Sequence, residues 1–403
     1  MKKRITLVIS FFSIIGCTEL EVEGLNLPDV RSLEPSTINT RFEVAHLTAD
    51  PDELEEMFRR YSKDVAIKAT ITYYDQKKQT LLQNLPIQIE VKGNASAKYS
   101  MKSIGVLFNK PLNNDSVQLF QSPKLINGHS IRTLYSIRFR NSGQDFGRTM
   151  IKDLAYTELA IKAGLDVELM YYKPVQVFIN SEYYGLMNLR TENETFGIAG
   201  LVSSKVSAIT TMDSQKGDAD FEWESGPEAA ANDLLEAIDN QNAEKLKSLM
   251  DVSSFIDYVI YEDYIGNYDW PNNNLRLYSV SGSPFRFMLY DTDYAADRPK
   301  DPKLPALESG EGGMAETYQA LKQIPGFYDQ LRGRQKELYK VLTPERFNTI
   351  MERLADDIEA DIPYLIARHQ QPGSMLQWYQ QLEIVKHNFE VQDKYIREKH
   401  ELE

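Results

Sequence analysis

Two different periods divide this chain, and few architectures accommodate both. In the first half, apolar and polar residues alternate at 65–75 (VAIKATITYYD), 86–92 (PIQIEVK), 102–108 (KSIGVLF) and 131–140 (IRTLYSIRFR). Alternation with period two puts one strand face in a core and the other in water, so these segments predict antiparallel strands. Two more, 173–180 (KPVQVFIN) and 183–190 (YYGLMNLR), flank Asn180-Ser181-Glu182, a hairpin turn. Two helices interrupt them. One is 51–62, after Asp50, with a leading Pro51, early acids and late arginines; the other is 147–163, ended by Gly164. From about 196 the character changes. A polar stretch, 203–226, precedes helical patterns at 227–240, 243–250 and 253–266, and a hairpin of 274–280 with 285–290 turns at Ser281-Gly282-Ser283. Beyond 315 the period is helical: 315–323, 333–342, 344–369 and 376–399. Strands do not alternate with helices, which disfavours a doubly wound sheet. The prediction is α+β, with a β-rich N-terminal lobe over 51–195 and a mostly helical C-terminal lobe, carrying the hairpin, over 196–403.

Composition narrows the chemistry. Among 403 residues there are 45 Lys+Arg and 59 Asp+Glu, a formal net charge of −14. That balance argues against nucleic acid as a partner, which would want a basic face. One cysteine permits no internal disulfide and no thiolate zinc cluster, and none of the five histidines lie at helical ligand spacing. Carboxylates, amides and cations must carry the function.

The lone cysteine has a position that explains it. Met1-Lys2-Lys3-Arg4 opens the chain, an apolar run from Ile5 to Ile15 follows, and Gly16-Cys17 closes it. This is the pattern of a secretory signal, too short to span a bilayer as a mature helix. The Gly-Cys end resembles a bacterial lipobox, in which the cysteine is lipidated. Residues 1–16 are read as a lipoprotein signal peptide and 17–50 as a lipidated N-terminus and tether, with Glu19, Glu21 and Glu23 early in it. The expected location is the cell envelope, in the outer membrane or at the surface of a Gram-negative bacterium, with membrane contact through the lipid alone.

The segment 267–295 (NYDWPNNNLRLYSVSGSPFRFMLYDTDYA) carries the sharpest pattern. Asp269 is followed five residues on by Asn274, then by the hairpin, then by Asp291 and Asp293. Protein kinases use this order: an Asp that takes the substrate hydroxyl proton, a metal-binding Asn, a hairpin, and a second metal-binding Asp. Mg²⁺ wants hard oxygen ligands, and phosphoryl transfer wants its charge beside the phosphates. A strand cation is also needed, for which Lys102 is the candidate. The small-residue loop at Gly93-Asn94 is suited to close approach by phosphate oxygens. The plainer readings are Asn-rich turn punctuation, an exposed strand lysine and an ordinary β-turn.

Further segments then resemble a known family. KGNASAKYSMKS (92–103), RNSGQDFGRTMIKDLA (140–155), YKPVQVFINSEYYGLMNLRTE (172–192), NYDWPNNNLRLY and FRFMLYDTD resemble, in order, motifs of the CotH family of atypical spore-coat protein kinases and their bacterial relatives. The resemblance covers roughly residues 65–396. It implies a kinase-like fold with ATP and Mg²⁺ (or Mn²⁺) between two lobes, and a protein acceptor. It implies Lys102 at the nucleotide phosphates with Gly93 and Asn94, Asp269 as general base, and Asn274, Asp291 and Asp293 around the metal. Arg148 would meet a phosphate or a carboxylate. Glu192 would sit near the adenine or pair with Lys102, for which Asp153 and Glu158 are the other candidate partners. Three positions depart from the family pattern. Lys92 stands for the commoner Arg, 97–101 (AKYSM) for a Pro-Lys pattern, and Ser181 for Gly. The missing second lysine is what a weak or inactive member would show. The alternatives to phosphoryl transfer are therefore a catalytically silent kinase-fold adhesin or binding protein, and ATP-dependent transfer of another group such as AMP. The 297–313 segment, rich in Pro, Gly and charge, is either a substrate loop or a linker.

Overall fold

The computed structural model describes residues 27–62, 65–120, 131–214, 220–300 and 302–400. The signal peptide, Cys17 and the start of the tether lie outside these residues. The strands are β1 (Glu43–Ala49), β2 (Ile67–Tyr74), β3 (Thr80–Lys92), β4 (Ser103–Asn113), β5 (Thr133–Arg140), β6 (Glu168–Leu169), β7 (Tyr172–Ile179), β8 (Glu182–Arg190), β9 (Ile209–Ser214), β10 (Phe221–Ser225), β11 (Arg276–Val280) and β12 (Arg286–Leu289). The α-helices are α1 (Pro51–Arg59), α2 (Asn114–Val117), α3 (Lys152–Ala163), α4 (Thr195–Leu201), α5 (Glu228–Asp239), α6 (Ala243–Leu249), α7 (Val252–Ile265), α8 (Leu304–Ser309), α9 (Gly313–Leu321), α10 (Phe327–Tyr339), α11 (Pro344–Ile358), α12 (Ile362–His369) and α13 (Met375–Lys399). The α+β class with a β-rich front and a helical end is as the periods predict.

The N-terminal strands close into a barrel in the order β1-β2-β3-β4-β5-β8-β7. Neighbours are antiparallel except β1 and β7, whose parallel pairing closes the ring. This corrects the tether reading over part of its length, because β1 lies inside 17–50. Its seven residues, EVAHLTA, are too few for their alternation to stand out, and the edges of β2 and β7 decide their state. A second sheet runs β10-β9-β11-β12-β6, so β6 crosses from the first half to join the hairpin. Two of its strands, β9 and β10, form within the polar stretch 203–226. The 344–369 helix is two helices, α11 and α12, separated by a 3₁₀ turn at Glu359–Asp361. Pro363 fits the first turn of α12 but cannot donate in the middle of one long helix.

Helix α7 is the internal post. Every residue from Ser254 to Ile265 is buried. Its neighbours enclose it on every side, the acids Asp257, Glu262 and Asp263 included. Asp251 caps its start by accepting from the Ser253 and Ser254 amides, and Gly266 ends it in the left-handed conformation. The chain therefore enters 267–274 from a rigid support. Helix α3 packs against α11, and Tyr156 on it meets Phe347 and Phe389, whose rings stack at 4.1 Å. Among the described residues no helix is long and apolar enough to cross a membrane.

Candidate active site

The site forms where β5 and β8 end beside the turn after β12. Register puts Arg138 opposite Arg190 and Arg140 opposite Asn188. Residues two apart on a strand share a face, as do cross-strand partners, so these four side chains point the same way. Phe139 and Leu189, on the other face, are fully buried. Three arginines on one face need counter-charges, and the surrounding elements supply them.

Arg140 is the centre. Its Nη2 donates to Asp293 Oδ2 at 2.8 Å and, more closely still, to Asp291 Oδ1. Its Nε faces Asp153 Oδ2 at 3.4 Å. Asp153, from the first turn of α3, also pairs with Arg190 at 2.8 Å. Its Oδ1 accepts from the Thr292 amide at 3.1 Å and the Thr292 hydroxyl at 2.8 Å. One carboxylate on α3 thus fixes both arginines and the turn that carries Asp291 and Asp293. Burial would raise the Asp153 carboxyl, but Arg190 and Arg140 hold it below its ordinary value. For Asp293, burial and then the Asp291 charge push it well up against the pull of Arg140. Burial works against the charge on Arg140, which Asp291, Asp153 and Asp293 more than offset.

The turn at 142–145 seals this cluster. The Gln144 amide donates to Asp293 Oδ2 at 2.9 Å. Gly143 has φ +58°, and a Cβ there would lie 1.9 Å from Asp293 Oδ2 and 2.6 Å from Arg140 Nη2. Only glycine leaves room for that ion pair. Asn141, fully buried, accepts from the Ser103 hydroxyl (2.9 Å) and the Gly143 amide (3.0 Å) and donates to the carbonyls of Met101 (2.7 Å) and Ser96 (3.3 Å). Its amide is thereby satisfied on both sides. The loop that begins at Gly93 and Asn94 is fastened to the site turn through it, and also through Tyr99, whose hydroxyl donates to Gln144 at 2.7 Å.

Asn274 and Asp291 both adopt left-handed backbone, with φ of 62° and 58°. Asn and Asp tolerate that region better than other residues with a Cβ, and its use at two adjacent positions is typical of a functional site. The Asn274 amide donates to the Asp291 carbonyl at 3.4 Å, and Tyr258 on α7 donates to the Asn274 carbonyl at 3.1 Å. Trp270, 1% exposed, packs edge-on against Tyr258 beneath the loop. Asp269 is half-buried above it. Burial and then the Asp291 charge raise its carboxyl, while Asn273 hydrogen-bonds it and opposes the shift. A cleft of about 600 Å³ opens beside Asp269, between Trp270–Asn273 and the Lys303–Ala315 side.

The structure thus gathers Asp269, Asn274, Asp291 and Asp293, and places the other sequence candidates elsewhere. Lys102 donates to the carbonyls of Ala97 (2.6 Å) and Tyr99 (3.1 Å) and lies 4.8 Å from the Tyr61 ring centre. Burial lowers its pKa. Its expected partners are taken: Glu192 pairs with Arg138 at 2.5 Å, Asp153 with the two arginines, and Glu158 with Arg353. Lys92, by contrast, faces acids, bonded to Glu194 at 2.6 Å and to Glu90 at 2.8 Å. Burial opposes its charge, yet Glu194 and Glu192 hold it above its ordinary value. Lys92, Glu192 and Glu194 line a smaller cleft of about 180 Å³ under β3 and β4. Arg148 meets a carboxylate, Asp297, at 3.0 Å, and Lys152 shares that acid. Sequence reasoning passed over Arg140 and Asn141, although both stand in the segment 140–155. A strand ending directly in Arg-Asn-Ser-Gly was the available signal.

The donor set suits a small hard dication. The Asp291 and Asp293 carboxylates share Arg140, the Asn274 amide lies against the Asp291 carbonyl, and Asp291 is partly exposed at its side chain, 31%. Mg²⁺ takes few protein ligands and keeps several waters. Among the described residues no group of three or more His, Cys, Asp or Glu side chains is arranged for a metal ion, so the site is no all-protein cage. A family model described as CotH kinase protein matches residues 89–396, more than half the chain. No curated protein matches it.

Proposed function

The chain belongs to the CotH kinase protein family, and from that premise we propose that it transfers a phosphoryl group from ATP, with Mg²⁺ or Mn²⁺, to Ser or Thr hydroxyls of envelope or surface proteins. The observation that carries this reading is that Asp269 lines a cleft and feels the Asp291 charge, while Asn274 bonds the Asp291 carbonyl and Asp293 shares Arg140 with Asp291. The metal, held by Asp291, Asp293 and Asn274, would neutralise phosphate charge and orient its oxygens. Asp269 accepts the proton of the acceptor hydroxyl, and its raised pKa makes it a better base than an exposed aspartate. The cleft of about 600 Å³ beside it is open to an acceptor segment. The smaller cleft, lined by Lys92 and Glu194, would take the donor.

The test uses purified protein, γ-labelled ATP and Mg²⁺ or Mn²⁺ with a generic protein acceptor. Label transfer is expected, and Asp291→Ala should reduce it to background. Transfer from α-labelled ATP alone would replace this reading with nucleotidyl transfer. Neither transfer nor an ATP-induced rise in melting temperature would leave only a binding role. For location, we propose that Cys17 carries the lipid anchor. Fatty-acid label should enter the wild-type chain and be absent from Cys17→Ser; equal labelling of both would refute the anchor.

A further inference from the structure

We infer that Arg140 is a positioning residue with two successive partners: it holds Asp291 and Asp293 together while no metal is bound, and it faces the donor's phosphate oxygens once they take one. The inference rests on the phosphotransferase reading of the site. Lys102, the cation expected at the phosphates, is engaged with the carbonyls of Ala97 and Tyr99. Arg140 instead bridges the two carboxylates that the metal would need.

Charge explains why one guanidinium serves both states. With all three carboxyls ionised, Asp153, Asp291 and Asp293 against Arg140 and Arg190 sum to three negative and two positive, a net of −1. A dication on Asp291 and Asp293 makes the same group +1, which is suited to an anionic oxygen. Geometry allows the change. The Asp153 contact of Arg140 Nε, at 3.4 Å, completes no hydrogen bond, so the hydrogen bonds on the guanidinium run to Asp291 and Asp293. Arg190, 1% exposed, pairs with the same Asp153 oxygen at 2.8 Å, so Asp153 keeps a counter-charge when Arg140 moves. Two cations that share two carboxylates must weaken each other's binding, by the same factor in both directions.

The experiment compares wild type, Arg140→Met, Arg140→Lys and Asp291→Asn in the full chain. Mn²⁺ alone is titrated by electron paramagnetic resonance, and ATP binding and transfer are measured separately. Arg140→Met is expected to bind Mn²⁺ about tenfold more tightly, within the usual range of such coupling. It should bind Mn²⁺-ATP more weakly and lose transfer by about a hundredfold or more. Arg140→Lys, which keeps the charge, should recover part of both effects. Asp291→Asn should lose Mn²⁺ binding, which identifies the site being read. A merely structural role for Arg140 would lower metal affinity, ATP affinity and melting temperature together. That result, or unchanged Mn²⁺ affinity in Arg140→Met, overturns the inference. If Arg140→Met does not fold, Arg140→Lys decides: Mn²⁺ affinity at or below wild type overturns the inference, and tighter Mn²⁺ with weaker Mn²⁺-ATP supports it. Wild type that binds Mn²⁺ at Asp291 but transfers nothing would sink the kinase reading and leave the metal competition standing.

Discussion

Asp153→Ala is expected to destabilise the protein by about 3–5 kcal/mol, the range for removing one partner of a buried ion pair. The carboxylate is 3% exposed, and its loss leaves Arg190, 1% exposed, without its counter-charge. Removing the charge but not the shape, with Asp153→Asn, should cost less, since the amide oxygen still accepts from Thr292. Denaturant midpoints of the three proteins check this, and an alanine variant within about 1 kcal/mol of wild type, inside the range of an exposed pair, would refute it. The pH dependence has a definite sign. The folded carboxyl is held below its ordinary value, so its contribution is present above the usual carboxylate range. It fades as pH falls through the depressed folded pKa. The gap between wild type and Asp153→Ala should therefore narrow in acid.

The second large effect is kinetic. Asp269→Asn should lower transfer by about 10²–10⁴-fold, the contribution of a positioned base, while leaving Mn²⁺-ATP binding close to wild type. The asparagine keeps the shape above Trp270 and loses only the proton acceptor. In wild type, burial and Asp291 raise the Asp269 carboxyl. A base must be ionised, so the rate should fall as pH drops through a value raised above that of an ordinary aspartate. Asp269→Asn should lack that acidic limb. A variant with an unchanged limb would assign the base to another group.

Much of this site is local in the chain, and that part was legible. Asp269, Asn274, Asp291 and Asp293 lie within 25 residues on one loop–hairpin–turn unit, so spacing alone places them near one another. Helix α7, buried from Ser254 to Ile265, gives that unit its fixed starting point. The cations are a different case. Lys92, Lys102, Arg138 and Arg140 all stand in or beside strands with similar alternation. Alternation says which side chains share a face, not which face meets an acid. The side chain of Lys102 folds back onto its own loop, where two carbonyls offer it acceptors. Arg140 meets Asp153, Asp291 and Asp293 because closure of the barrel brings β5 beside β8 and because α3 packs over that seam. The same holds for β1, which its seven residues did not announce and which two distant strands recruit.

By itself the sequence determined the fold class, the order of lobes, the acids that gather at the candidate site and the exclusion of a thiolate zinc cluster. Those follow from periods, spacing and composition, which are properties of neighbours along the chain. Only the tertiary structure decided which cation serves the acids, which carboxylate holds it, and where the front of the barrel closes. Those depend on pairs far apart in sequence, Arg140 with Asp291 and Asp153 with Arg190 among them. In each pair the interaction energy exists only once burial has removed the water that would otherwise screen it.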